Sequence, residues 1–269
     1  KCDYTFSYNN SDSTATNHGN YISMTYDTAT NAQVTYNTQK YNVQEIRLYQ
    51  PSLHTFNGWR ADAEMIIYHT STTGSLIVCV PISGSPAQTA SSAMLDLVVP
   101  RLVKYAGSTG DSAQLRLDQF NLNDIVPIKP FYSYIGTLPY SPCNGSHSYV
   151  VFDAANGGSA QISSDNLESL RRLISASSKR IATDVPYFYN QKGPSKTLGA
   201  ADDIYIDCQP TGEDGETLVP IDPPSGPSMP FTKEKLLATL KNPWVIALLV
   251  GIGMFMIQTQ KKVVDQISS

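Results

Sequence analysis

The chain is short of charge and of metal-ligand motifs. Only 16% of its 269 residues are Asp, Glu, Lys or Arg, and they sum to −4 at neutral pH. A net negative charge repels phosphate backbones, which excludes a general nucleic-acid binder. The four cysteines, Cys2, Cys79, Cys143 and Cys208, lack C-x-x-C spacing, which argues against a structural zinc site. The four histidines are scattered, and lone residues such as His69 and His147 are more often structural than ligands. What is abundant points elsewhere. With 16 Tyr, 17 Gly and 17 Pro beside many Thr, Ser and Asn, the composition suits a β-rich domain with long loops.

Strand signals open the chain. Y-T-F-S-Y and Y-I-S-M-T-Y alternate apolar and polar residues, as half-buried strands do. Val43, Ile46 and Leu48, then Met65, Ile66 and Ile67, supply a strand pair punctuated by Pro51-Ser52 and Asn57-Gly58. Ser75 to Ile82 is a continuous apolar run, consistent with a buried core strand. Helical spacing follows over 92–105, with Ser91 or Ser92 as N-cap and a kink or break at Pro100. A second helix follows Ile162, capped by Ser163 or Ser164, with Leu167, Leu170, Leu173 and Ile174 on one face. Residues 184–200 read as irregular, and Asp203 to Cys208 as a closing strand.

The central phrase Q-E-I-R-L-Y-Q-P-S-L-H-T-F-N-G resembles the α-class carbonic anhydrases, as does Y-S-Y-I-G-T-L-P-Y-S-P-C further on. The resemblance implies a mainly β (α+β) fold: a large twisted mixed sheet with short peripheral helices. It also implies which positions hold zinc, and these carry Arg47, Tyr49 and Ile66 instead of histidines. A catalytic zinc of this kind needs three imidazoles and an open position for water. Arg47 offers a permanent positive charge, Tyr49 a phenol of pKa about 10, and Ile66 no donor at all. The relay that orients the zinc-bound hydroxide is altered too, with Leu53 and Pro139 at its glutamate and threonine places. The expectation is no zinc, no other cofactor and no carbon dioxide hydration. Glu64, whose counterpart orients the third zinc histidine, is expected to pair with Arg47 and plug the vacated site. His54 and Tyr134 match a structural hydrogen-bonding pair of the family. Asn20 stands where the family has its proton-shuttling histidine, and His18 reads as a turn residue. By the same resemblance Cys143 is half of a disulfide. Cys2–Cys143, Cys2–Cys208 and four buried thiols stay open.

The resemblance ends near residue 175. The expected organisation is a domain over 1–208, an acidic Pro/Gly-rich linker over 209–235, a transmembrane helix over 236–260 and a tail over 261–269. Residues 243–257 carry no charge, Trp244 is an interfacial anchor, Lys241 snorkels, and Lys261 and Lys262 flank the far side. A zinc-free domain on a membrane stalk is a binding design, similar to poxvirus envelope proteins that bind cell-surface glycosaminoglycans. The reading is therefore a non-catalytic virion component of a large DNA virus, a minor capsid protein or capsid-to-membrane tether with protein partners and a lipid bilayer. The alternatives are an attachment protein for host glycans, disfavoured by the acidic balance, and a cellular carbonic anhydrase-related receptor domain.

Overall fold

Asn57 and Gly58 both take positive φ, 49° and 85°, and close a two-residue turn in which Phe56 and Trp59 exchange backbone hydrogen bonds. The loop holding this turn joins the two strands at the centre of the molecule. The structure, a computed structural model, describes residues 3–27, 31–115, 120–181 and 185–194. Its strands are β1 (Tyr4–Phe6), β2 (Ser13–Asn17), β3 (Ile22–Met24), β4 (Val34–Tyr36), β5 (Gln39–Tyr49), β6 (Ala63–Thr70), β7 (Ser75–Gly84), β8 (Ser112–Leu115), β9 (Phe131–Gly136), β10 (His147–Phe152), β11 (Ala160–Ile162) and β12 (Tyr187–Asn190). The helices are α1 (Ala90–Tyr105) and α2 (Ser164–Leu173). Among the described residues the strands join in one mixed sheet. Its main path runs β12-β9-β10-β7-β6-β5-β3-β2-β8, and β10 and β11 lie parallel to β7.

Both sides of the central strands are covered, which is why β6 and β7 read as near-continuous apolar runs. One side packs Ile46, Leu48, Met65, Ile67, Val78 and Val80 with the buried stripe of α1 (Leu95, Val98, Leu102) and with Phe131 and Phe152. The other side buries Tyr49, Leu53, Ile66, Ile77, Cys79, Tyr134 and Tyr149. A register shift between Val43 and Glu45 inserts Gln44 as a bulge. It moves the alternation one place, so Tyr41 and Val43 and then Ile46 and Leu48 stay on the core side.

The helices differ from expectation in two details. Helix α1 begins two residues early: Thr89 caps it by accepting from the Ser92 N–H, and the Ser92 hydroxyl accepts from the Thr89 N–H. Pro100 neither breaks nor ends it. The proline is exposed, it costs the Asp96 carbonyl one partner, and buried Leu95, Val98, Val99 and Leu102 hold both halves. Helix α2 is capped by Ser163, whose hydroxyl donates to Asp96 of α1 at 2.8 Å. Part of the stretch read as irregular is a strand, because β12 pairs in full with β9. The Asp203–Cys208 strand, the 209–235 linker, the 236–260 membrane helix with Lys241 and Trp244, and Lys261 and Lys262 lie outside the described residues. Among the described residues no helix is long and apolar enough to cross a membrane.

Candidate functional site

Cross-strand pairing decides which side chains share the face opposite α1. Arg47 lies across from Ile66, and Ile66 from Cys79. Tyr49 lies across from Glu64, while Tyr68 faces Ile77, which is flanked in turn by Tyr149. Partners across a ladder and residues two apart along a strand point the same way, so all of these share one face.

At its centre Arg47 is held by aromatic rings. Its guanidinium carbon lies 3.4 Å from the ring centre of Tyr140 and 4.9 Å from that of Tyr21. Tyr21 stacks on Tyr49 at 5.3 Å and on His18 at 4.4 Å. The charge is met by Glu45, at 3.0 Å on the same strand. Burial lowers the Arg47 pKa, but the bonds from Glu45 and Tyr49 outweigh it and leave the pKa raised. Arg47 is therefore a fixed cation. Its buried Nε–H has no hydrogen-bond partner among the described residues. Burial raises the Tyr49 phenol, which keeps its proton.

The expected Arg47–Glu64 pair does not form. Glu64 is fully buried and directed away from Arg47. Its Oε2 accepts the Leu53 and His54 backbone N–H groups at 2.6 and 3.1 Å, and its Oε1 lies 2.6 Å from His54 Nδ1. His54 Nε2 continues the chain to the Tyr134 hydroxyl at 2.8 Å. A carboxylate only accepts, so Nδ1–H donates to Glu64 and Nε2 receives the Tyr134 O–H. Burial pushes the Tyr134 pKa well up, which keeps that proton in place. Strand geometry supplies the other half of the explanation. Glu45 stands two residues before Arg47 on the same face, whereas Glu64 is a diagonal step away, opposite Tyr49. The structure thus joins His54, Tyr134 and Glu64, and separates Arg47 from them.

The residues do not fit a zinc of the family's type. Arg47, Tyr49 and Ile66 present a cation, a protonated phenol and a hydrocarbon to one another, with no imidazole among them. Leu53 is buried in the same cluster, and Pro139 carries no hydroxyl. Nearby, His54, Glu64 and Cys79 bring ligand-type atoms within 4.8 Å of one another. Two of these atoms are already bonded together, and burial pushes the Cys79 thiol well up, so it stays protonated.

The remaining candidates settle into ordinary roles. His18 bonds Ser23 at 2.8 Å, and His69 is sealed beneath Tyr8, 3.0 Å from its hydroxyl. Arg171 and Arg172 pair with Asp62 and Glu168. Cys79 is a buried and Cys143 an exposed thiol, so the reading of four buried thiols gives way. Cys2 and Cys208 lie outside the described residues. Spacing in sequence missed Tyr21, Tyr140 and Glu45 around Arg47. The doubled tyrosine-rich phrases are the one signal that could have found the first two.

Residues 2–186 match the family model for eukaryotic-type carbonic anhydrase. Alpha carbonic anhydrase 2 of Arabidopsis thaliana is 26% identical over 152 residues, 55% of this chain, which spans 59% of that relative's length. Among solved structures, the alpha-carbonic anhydrase of Photobacterium profundum aligns with a TM-score of 0.57 at 16% identity, covering 70% of this chain and 81% of that one. The Thermovibrio ammonificans enzyme with sulfanilamide gives 0.55 at 17%, covering 74% and 76%. A dioscorin complexed with ascorbate gives 0.58 at 18%, covering 71% and 78%. At these identities the solved structures speak for the fold alone.

Proposed function

The chain belongs to the eukaryotic-type carbonic anhydrase family, and from that premise we propose that it is a member without the family's zinc chemistry, serving as a binding and scaffolding domain. One observation carries the reading. The Arg47 guanidinium, a fixed cation stacked 3.4 Å over Tyr140 and paired with Glu45, stands where the resemblance puts a zinc ligand. A dication and its bound hydroxide have no place beside it. Loss of the ligands leaves the scaffold whole, because the Glu64–His54–Tyr134 chain is closed without any metal. A dioscorin of this fold, solved with ascorbate, supports a use of the scaffold for binding. The apolar run of 243–257 behind an acidic linker supports tethering to a membrane, and the virion tether is the form of the proposal that joins both halves.

Full-length protein purified in the presence of zinc tests the reading. Elemental analysis should find no stoichiometric zinc, and stopped-flow assay no hydration of carbon dioxide above background. One zinc per chain with chelator-sensitive hydration would end the proposal. Retention in the membrane fraction after carbonate washing checks the tether separately.

A further inference from the structure

Two stretches far apart in sequence are stitched together where β5 gives way to its loop. The Ser177 N–H donates to the Gln50 carbonyl at 2.7 Å, and the Ile181 N–H to the Leu53 carbonyl at 2.9 Å. The Arg60 guanidinium spans both stretches. It donates to the carbonyls of Pro51 at 3.2 Å, Ser177 at 3.0 Å and Lys179 at 3.2 Å, and to that of Ser52. Lys179 and Arg180 are thereby fixed beside Arg60, and both are exposed. Burial lowers the Arg60 pKa and the Arg180 charge lowers it further, while the buried Glu64 offsets only part of this. Asp62, two residues after Arg60, holds Arg171 at 2.6 Å, and Arg172 pairs with Glu168 at 3.2 Å, which adds the end of α2 to the same region. Arg60, Arg171, Arg172, Lys179 and Arg180 thus share two paired carboxylates, Asp62 and Glu168. Lys179 and Arg180 have no ion-pair partner among the described residues. In a chain of net charge −4 this is a local excess of cations. Trp59, directly before Arg60, is 43% exposed on the same loop. Its ring leans on buried Phe56 at 5.8 Å, so the indole is anchored on one side and bare on the other.

We propose that Trp59, Lys179 and Arg180 head a docking face for an anionic lipid bilayer. The chemistry matches on two counts. An indole settles at the headgroup level of a membrane, where its apolar body and its N–H are both accommodated. Cations held near an anionic leaflet are drawn to it, and each adds to the attraction. Arg60 spends its donors on carbonyls and so shapes this face, while Lys179 and Arg180 supply its free charge. The bare indole favours a headgroup layer over a sulfated glycan, whose polar chain buries less apolar surface. The proposal rests on the membrane tether described above, which would hold the domain beside a bilayer. Docking gives a tethered domain one orientation on the membrane.

The full-length chain carrying Trp244→Phe, which leaves Trp59 as its one tryptophan, tests the face. It is reconstituted in vesicles of phosphatidylcholine alone or of an equal mixture with phosphatidylserine. On the mixed vesicles Trp59 emission should move to the blue and escape acrylamide quenching, and high salt should reverse both. On phosphatidylcholine alone Trp59 should stay open to the quencher. Lys179→Gln with Arg180→Gln should cut the ratio of shielded to open Trp59 by about 30-fold, with the melting temperature unchanged. Lys40→Gln, at the far end of β5, should leave the ratio as it was. Equal quenching on both lipids overturns the inference, as does shielding that is complete before any vesicle is added. Shielding by heparin but not by mixed vesicles overturns it too and gives the face to a sulfated glycan. A chain that floats with phosphatidylcholine vesicles while Trp59 stays open on the mixture ends this inference alone. A chain that fails to float with phosphatidylcholine ends the tether, and shielding by added mixed vesicles still decides the face.

Discussion

Glu64 and Arg47 sit one diagonal step apart on the same sheet face, yet they are stabilised in opposite ways. Glu64 is fully buried and satisfied by three hydrogen bonds, two from backbone and one from His54. Arg47 keeps 17% of its side chain exposed and leans on rings and one partly exposed carboxylate. The resemblance links Glu64 to a zinc histidine that this chain lacks, yet its network does not depend on that histidine. By the same resemblance Arg47 is the replacement itself, and its environment is adaptable: aromatic faces, a carboxylate two residues back on its strand and an Nε–H without a partner among the described residues. A buried network that is closed resists change, while a partly open pocket accepts a new residue and fills around it.

Removing Glu64 should give the largest effect. Glu64→Ala leaves two backbone N–H groups and the His54 Nδ1–H buried without an acceptor, a cost of about 3–5 kcal/mol. Chemical denaturation would read this as a lower midpoint with an unchanged slope. A loss no greater than that of Arg47→Ala would erase the distinction between the two centres.

The sealed side of the molecule should also report through pH. Burial lowers the His69 pKa from 6.5 to about 4. Above 6.5 the imidazole is neutral whether folded or not, and its contribution to stability is fully present. As pH falls from 6.5 towards 4 the unfolded chain takes up the proton and the folded chain does not, so about 3 kcal/mol is lost across that window. Denaturation midpoints measured from pH 7 to 4 should fall accordingly, and His69→Gln should flatten the slope.

Arg47→Ala should cost less, about 1–2 kcal/mol, from lost cation–π contact and packing. A double-mutant cycle sharpens the contrast further. Arg47 and Glu45 should couple by about 0.5–1 kcal/mol, as partly exposed pairs do, while Arg47 and Glu64 should be additive. Coupling between Arg47 and Glu64 above that of Arg47 with Glu45 would restore the Arg47–Glu64 plug.

The central strands were legible because their signals are local: Pro51, Asn57-Gly58 and the alternating apolar positions sit within a few residues of one another. That Arg47 and Tyr49 share one face was legible for the same reason. The partner of Arg47 was not. Glu45, two residues back on its own strand, takes the guanidinium, while Glu64 is committed to His54 and two backbone N–H groups that only the folded loop brings to it. Strand β12 escaped notice because Pro186 and Gly193-Pro194 flank four half-exposed residues whose pairing with β9 is purely tertiary.

On the proposed reading the scaffold stands ready and the identities of three residues keep zinc out. Calorimetric titration of zinc into the full-length chain and into the triple variant Arg47→His, Tyr49→His, Ile66→His tests it most directly. No binding by the wild-type chain and one zinc per chain in the variant are expected, with Glu64 still in place to orient the histidine at position 66. Equal stoichiometric binding by both chains, or none by a variant that retains the wild-type fold, would contradict it.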